Sequence, residues 1–172
     1  LGGHPEIKAP GVEVSTGALG HGLPIGVGMA LAAKLKKEKH KVVVVIGDGE
    51  SDEGSIWESA MSAAKHNLSN LIVLLDNNKI QSYSFINEVL NLEPLNKKWE
   101  SFGFNVKEIN GHDIQQIKEV LNQTIDEKDK PKLIICHTIK GKGIAVAENN
   151  PKWHHKNNLG KKDIEELYNS LS

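Results

Sequence analysis

Two runs without a single polar position divide this chain: Val42-Val43-Val44-Val45-Ile46 and Leu71-Ile72-Val73-Leu74-Leu75. Continuous apolar runs of this length, rich in β-branched residues, predict strands covered on both faces of a parallel sheet. Parallel neighbours need a crossover. Residues 55–67 supply one, with Ile56, Ala60, Ala63 and Ala64 on one helical face. Residues 1–16 have neither helical nor strand period, and Pro5, Pro10 and three glycines mark a loop. Leu23, Val27, Ala30, Leu31 and Leu35 then predict a helix that ends in a solvated basic turn, KLKKEKHK. Downstream, Pro94 suits the first turn of a helix over 95–102, and 104–109 reads as a strand. Asp113 predicts a cap for a helix whose stripe is Ile114, Ile117, Val120, Leu121 and Ile125. Residues 133–137 form a further strand, 138–159 a long loop, and Asp163 would cap a final helix reaching Leu171. Strand and helix alternate throughout, which predicts an α/β three-layer domain with a mostly parallel sheet.

The ends of the two runs carry the chemistry. The first breaks off in Gly47-Asp48-Gly49 and the second in Asp76-Asn77-Asn78. Ligands in such sheets bind beyond the carboxyl ends of the strands, so Asp48 and Asn78 are expected to face one site. A carboxylate and a carboxamide are oxygen donors suited to a hard cation such as Mg2+, which takes its remaining ligands from phosphate and water. Gly49 lacks a side chain that would keep a phosphate from the backbone, and the helix from about Ser55 is expected to point its positive end there. The acidic residues Asp48, Glu50, Asp52 and Glu53 also fit a helix N-terminus decorated with carboxylates. A calcium loop is excluded, because Glu53 and Ser59 stand where its glycine and bidentate glutamate are required. No GxGxxG follows a strand and no GxxxxGK[ST] is present, which disfavours dinucleotide and P-loop sites. The eight histidines include no HExxH and have no cysteine partners, which disfavours zinc.

Bulk properties narrow the setting. A net charge of −1 gives no reason to expect nucleic acid or an acidic membrane as partner. No stretch has the length and apolarity of a membrane span. The single cysteine, Cys136, excludes a disulfide within the chain and reads as a small core residue, in keeping with a cytoplasmic protein. The 172 residues suit one domain, and a start at Leu1 within a Gly-His-Pro turn reads as a piece whose first part precedes it.

GDG and Asn77-Asn78, separated by residues 50–76, resemble the thiamine diphosphate fingerprint. Gly3-His4-Pro5-Glu6, the segment from Pro10 to Gly20 (PGVEVSTGALG), Lys140-Gly141-Lys142-Gly143 and Trp153-His154 extend the resemblance to the transketolase family over nearly the whole chain. The resemblance implies the thiamine diphosphate-binding fold and, most closely, the separate amino-terminal subunit of split transketolases. It places Asp48 and Asn78 as side-chain Mg2+ ligands, with Ile80 giving a backbone carbonyl. It places Gly49 on the diphosphate, and Gly17, Ala18 and Leu19 along the aminopyrimidine. His4 would lie near the reacting carbon and the substrate hydroxyls, and His154 would contact both diphosphate and substrate. Glu53 would join a network linking two cofactor sites at a dimer interface. His21 stands where many relatives carry Gln, and Ser82 replaces a commonly apolar residue. The implied reaction moves a two-carbon ketol unit from a ketose phosphate to an aldose phosphate. The glutamate that activates the cofactor belongs to a pyrimidine-binding domain with no counterpart in the chain. A C-terminal, pyrimidine-domain transketolase subunit is therefore the expected partner, in a heterotetramer or a dimer of such pairs. The alternatives are deoxyxylulose phosphate synthase, the alpha component of a 2-oxo acid dehydrogenase and a non-catalytic cofactor-binding subunit.

Overall fold

The computed structural model describes residues 4–125 and 127–170. The elements run α1 (Gly22–Leu35), β1 (Val42–Gly47), a three-ten turn (Gly49–Asp52), α2 (Gly54–Lys65), β2 (Leu71–Asn77), α3 (Ile86–Val89), α4 (Leu95–Ser101), β3 (Asn105–Asn110), α5 (Ile114–Ile125), β4 (Lys132–His137), a second three-ten turn (Pro151–Trp153) and α6 (Lys161–Asn169). The four strands form one sheet in the order β1-β2-β4-β3, and every pairing is parallel. No helix among the described residues is long and apolar enough to cross a membrane.

Strand alternation divides the core between two faces. Val42, Val44 and Ile46, with Leu71, Val73, Leu75, Leu133 and Ile135, pack on one face against Leu23, Val27 and Ala30 of α1 and Ile56, Ala60 and Ala63 of α2. Trp99 of α4, fully buried, closes this face, with Phe104 edge-on at 4.9 Å and Trp57 tilted at 5.2 Å. The other face gathers Ile72 and Ile134 under Val120 of α5, with Leu74, Ile109, Leu121 and Cys136. Helix, sheet and helix therefore make three layers.

The structure alters several expectations. β1 is an edge strand, and α5 does not reach over it: Val43 is 52% and Val45 68% exposed. An apolar run without polar positions thus has one open face. The stripe of α5 is shorter than its sequence pattern, because Ile114 and Ile125 project to solvent beyond the strands it covers. Asp113 caps α5 as expected, accepting from the backbone N–H groups of Gln115 and Gln116 at 2.9 and 3.0 Å. Asp163 is not the cap of α6. The helix starts two residues earlier, and Asp163 reaches back from its first turn to the Gly160 N–H at 2.8 Å. Pro94 lies just before α4 rather than inside its first turn. Leu1, Gly3 and the expected helix end at Leu171 lie outside the described residues.

Cys136 sits opposite Asp76 in the β2–β4 register. Burial pushes its thiol above the ordinary range, and the Asp76 carboxylate adds to the effect. The folded state therefore favours the protonated thiol, so this group contributes stability at neutral pH that is lost as pH rises through the raised value. Alkylation by iodoacetamide is expected to be slow at pH 7 and to accelerate only at a pH above that needed for free cysteine. A rate at pH 7 equal to that of free cysteine would contradict this.

Candidate functional site

A cleft of ≈ 460 Å3 opens beyond the carboxyl ends of β1, β2 and β4. The first of these ends supplies Asp48, only 3% exposed. Its Oδ1 accepts from the Gly49 N–H at 2.8 Å and its Oδ2 from the Lys79 N–H at 2.5 Å. The chain after β2 is thereby tied to the chain after β1. The period of two along β2 turns Asn77 away, towards His137, while Asp76 and Asn78 share the cleft side. Asn78 Nδ2 donates to Asp76 Oδ2 at 2.9 Å, and Asn78 Oδ1 accepts from the Ile80 N–H at 3.1 Å. The Thr138 hydroxyl, just past β4, donates to the remaining Asp76 oxygen.

Burial pushes the Asp48 carboxyl above its usual range, and the Asp76 carboxylate raises it further. The N–H groups of Lys79 and Gly49 oppose both effects. Two carboxylates and an amide oxygen held at adjacent strand ends create a demand for positive charge, and every donor is oxygen. No three His, Cys, Asp or Glu side chains among the described residues converge on one metal position. A hard cation here would complete its shell with phosphate oxygens and water, which is the ordinary mode of Mg2+. The residues present fit Mg2+ bound together with a diphosphate. Asp76 orients Asn78 through one oxygen and is itself held by Thr138 through the other. Asp76→Ala is expected to weaken the joint affinity for Mg2+ and diphosphate by about 10–100-fold. Isothermal titration would measure this, and an unchanged affinity would remove Asp76 from the site.

The facing wall is the loop before α1. Glu50 accepts from the Gly20 N–H at 2.9 Å and from the Gly47 N–H at 3.3 Å. Ser55 Oγ donates to the Gly20 carbonyl at 2.7 Å. The first strand end and the loop are thus one hydrogen-bonded unit. His4 stands over Gly17, where an added Cβ would lie 3.4 Å from the imidazole. At Gly49 an added Cβ would lie 2.7 Å from Gln81 Cβ, so close approach within the protein already demands glycine there. Gln81 is fixed by donating to Asp52 Oδ2 at 2.9 Å. The far rim comes from the loop after β4. Asn150 Oδ1 caps the turn Pro151–Trp153 through the Lys152 N–H, and His154 follows. Burial, then Lys140 and His155, hold the His154 imidazole below its usual pKa.

Nine of the ten residues singled out from the sequence line this cleft: His4, Gly17, Ala18, Leu19, Asp48, Gly49, Asn78, Ile80 and His154. Glu53 does not. It is exposed, at the cap of α2, on the far side of the Glu50–Gly20 link. The amino end of α2 is also absent from the lining, because the turn Gly49–Asp52 intervenes, so the expected helix-end contribution falls away. Sequence reasoning did not single out Asp76, Glu50, Gln81 or Lys140 as site residues, although all four line the cleft or hold it together. Asp76 was legible from its i, i+2 relation to Asn78. The others depend on loops whose course no pattern specifies.

A parallel three-layer α/β domain with an oxygen-donor cleft at its strand ends defines a diphosphate-binding domain. The sequence matches a family model for the transketolase thiamine diphosphate-binding domain over residues 1–172. It is 50% identical over 157 residues to an apulose-4-phosphate transketolase subunit of Actinobacillus succinogenes, covering 91% of the chain and 56% of that protein. It is 41% identical over 141 residues to a 6-deoxy-6-sulfo-D-fructose transketolase subunit of a Clostridium species, covering 82% and 51%. The crystal structure of Campylobacter jejuni transketolase superposes with a TM-score of 0.86 at 36% identity, covering 98% of the chain and 27% of that protein. The chain belongs to the transketolase family, as its thiamine diphosphate-binding domain. It spans about half the length of the subunits it matches.

Proposed function

We propose that this chain is the diphosphate-binding part of a split transketolase, moving a two-carbon ketol unit from a ketose phosphate to an aldose phosphate. The observation that carries the reading is the convergence of His4, the Gly17–Leu19 loop, Asp48, Asn78 and His154 on one cleft. Two relatives, of whose length this chain spans about half, are subunits in name, which supports activity only with a partner that brings the pyrimidine domain.

In this reading Asp48 and Asn78 hold Mg2+ through side-chain oxygens, and Ile80 adds its backbone carbonyl. Gly49 admits the diphosphate, while Gly17, Ala18 and Leu19 lie along the aminopyrimidine. Bound thiamine diphosphate supplies the electron sink for breaking the ketose carbon–carbon bond. The protein's share is orientation and hydrogen bonding. His4 and His154 face the cleft and exchange protons with sugar hydroxyls, a role suited to imidazole side chains. Burial, then Lys140 and His155, lower the His154 pKa and favour its neutral form. In the same reading Glu53, exposed beyond the cleft, meets a second copy or the pyrimidine-domain partner.

The test mixes the full-length chain with a pyrimidine-domain subunit, thiamine diphosphate and Mg2+. Transfer to ribose 5-phosphate is followed from xylulose 5-phosphate, apulose 4-phosphate and 6-deoxy-6-sulfofructose. Turnover with one donor, dependent on both chains, is the expected result. Tight cofactor binding without transfer from any donor would favour a non-catalytic subunit.

A further inference from the structure

At the cleft mouth two residues that the roles above leave unused, Ser82 and His155, meet His154. Ser82 Oγ lies 3.3 Å from Nε2 of His154 and 3.4 Å from Nε2 of His155. The two imidazoles meet edge-on, with centroids 4.3 Å apart and planes at 74°. His155 holds φ +58°, in the left-handed region that costs any residue with a Cβ. Such strain persists where the surrounding structure dictates it. Here Lys156 Nζ sits 4.2 Å over the Trp153 ring, closing the loop around the histidine pair.

A hydroxyl donates one proton, and a neutral imidazole carries one N–H. The Ser82 oxygen has two lone pairs and can accept from both rings, but its own proton then has no acceptor among the described residues; using that proton within the cluster makes one ring the acceptor, and the rings then take opposite tautomers. His154 Nδ1 is buried without a partner. An orphaned buried N–H is rarer than an under-satisfied acceptor, so the His154 proton belongs on Nε2. The order is then fixed: His154 Nε2–H donates to Ser82 Oγ, and the Ser82 hydroxyl donates to His155 Nε2. Burial and the nearby Lys140 favour the neutral form of His154, which a single tautomer requires.

We propose that Ser82 is a positioning residue that sets His154 and His155 as a donor–acceptor pair, and that His155 is a second sugar-hydroxyl contact. In this proposal a substrate hydroxyl takes the place of Ser82 Oγ, accepting from His154 Nε2–H and donating to His155 Nε2. This rests on the transketolase reading for its substrate, but the tautomers do not.

The first test uses the full chain with 15N-labelled histidine and reads ring tautomers from two-bond 1H–15N correlations, without cofactor. His154 is expected as the Nε2–H form and His155 as the Nδ1–H form. Ser82→Ala should shift both towards a mixture, and Ser82→Thr should restore them. Unshifted ring signals in Ser82→Ala would overturn the proposal. His155→Gly should melt no lower than the unaltered chain, since it relieves the left-handed strain. A lower melting temperature would make His155 a packing residue and also overturn it. In the reconstituted enzyme, His155→Gly should raise KM for the ketose phosphate about ten-fold more than it lowers kcat, the loss of roughly one hydrogen bond. Absence of all turnover would count against the transketolase reading, leaving the ring tautomers to decide the roles of Ser82 and His155.

Discussion

Asp48→Ala is expected to abolish any stabilisation of this chain by thiamine diphosphate and Mg2+ added together. A ligand at a hundred times its dissociation constant stabilises the native state by about 2.7 kcal/mol. For a domain of this size that corresponds to roughly 5–10 °C in melting temperature. Asp48 is where the loss should be complete. Its carboxylate is buried, its charge is made costly by burial and by Asp76, and a bound cation relieves that cost. The variant also forfeits the bonds to the Lys79 and Gly49 N–H groups, so its melting temperature without ligand should fall as well. The decisive quantity is the ligand-induced shift in each protein. A shift of equal size in the variant and the unaltered chain would sink the metal assignment. Mg2+ alone and thiamine diphosphate alone should each produce little shift, because the donor set is completed only when both are present.

Gly20→Ala should destabilise the fold itself. Gly20 has φ +74°, and an added Cβ would lie 2.4 Å from Ser55 Oγ and 2.8 Å from Glu53 Cβ. The left-handed conformation costs a residue with a Cβ about 1–2 kcal/mol. Overpacking adds about 1–3 kcal/mol. The expected loss is therefore about 2–5 kcal/mol in urea denaturation, large beside the roughly 5–15 kcal/mol stability typical of a domain. The injury is local to the cleft wall, since Gly20 is the residue that Glu50 and Ser55 clamp. Gly22, two residues on, provides the comparison. A Cβ there meets nothing within 4 Å and its φ is ordinary, so Gly22→Ala should be neutral or slightly stabilising. Equal effects from the two substitutions would show that the clamp carries no energy.

The apolar runs 42–46 and 71–75 were legible as strands because they are too short for a buried helix, include β-branched residues and end in turn-forming residues. Their abrupt ends in GDG and DNN placed Asp48 and Asn78 at a shared edge, and the parallel β1–β2 register bears this out. The segments around His4, Gly17 and Trp153 pointed to the family, which the comparison with known proteins shows. Helix boundaries were less legible. α6 begins at Lys161 rather than at an Asp163 cap, because a carboxylate can serve a helix start from its first turn as well as from its cap position.

Local pattern thus determined the element types, the parallel sheet and the two oxygen donors at its strand ends, since side-chain period and backbone preference act over a few residues. Tertiary structure decided what those elements face. It made β1 an edge with Val43 and Val45 open, because no described helix crosses to that side. It moved the amino end of α2 out of the cleft by inserting a three-ten turn, and left Glu53 outside. It brought Thr138 to Asp76 across sixty-two residues and Ser82 to the histidines more than seventy residues away. Contacts across such separations depend on how loops close over the sheet, and loop closure leaves no period in the sequence.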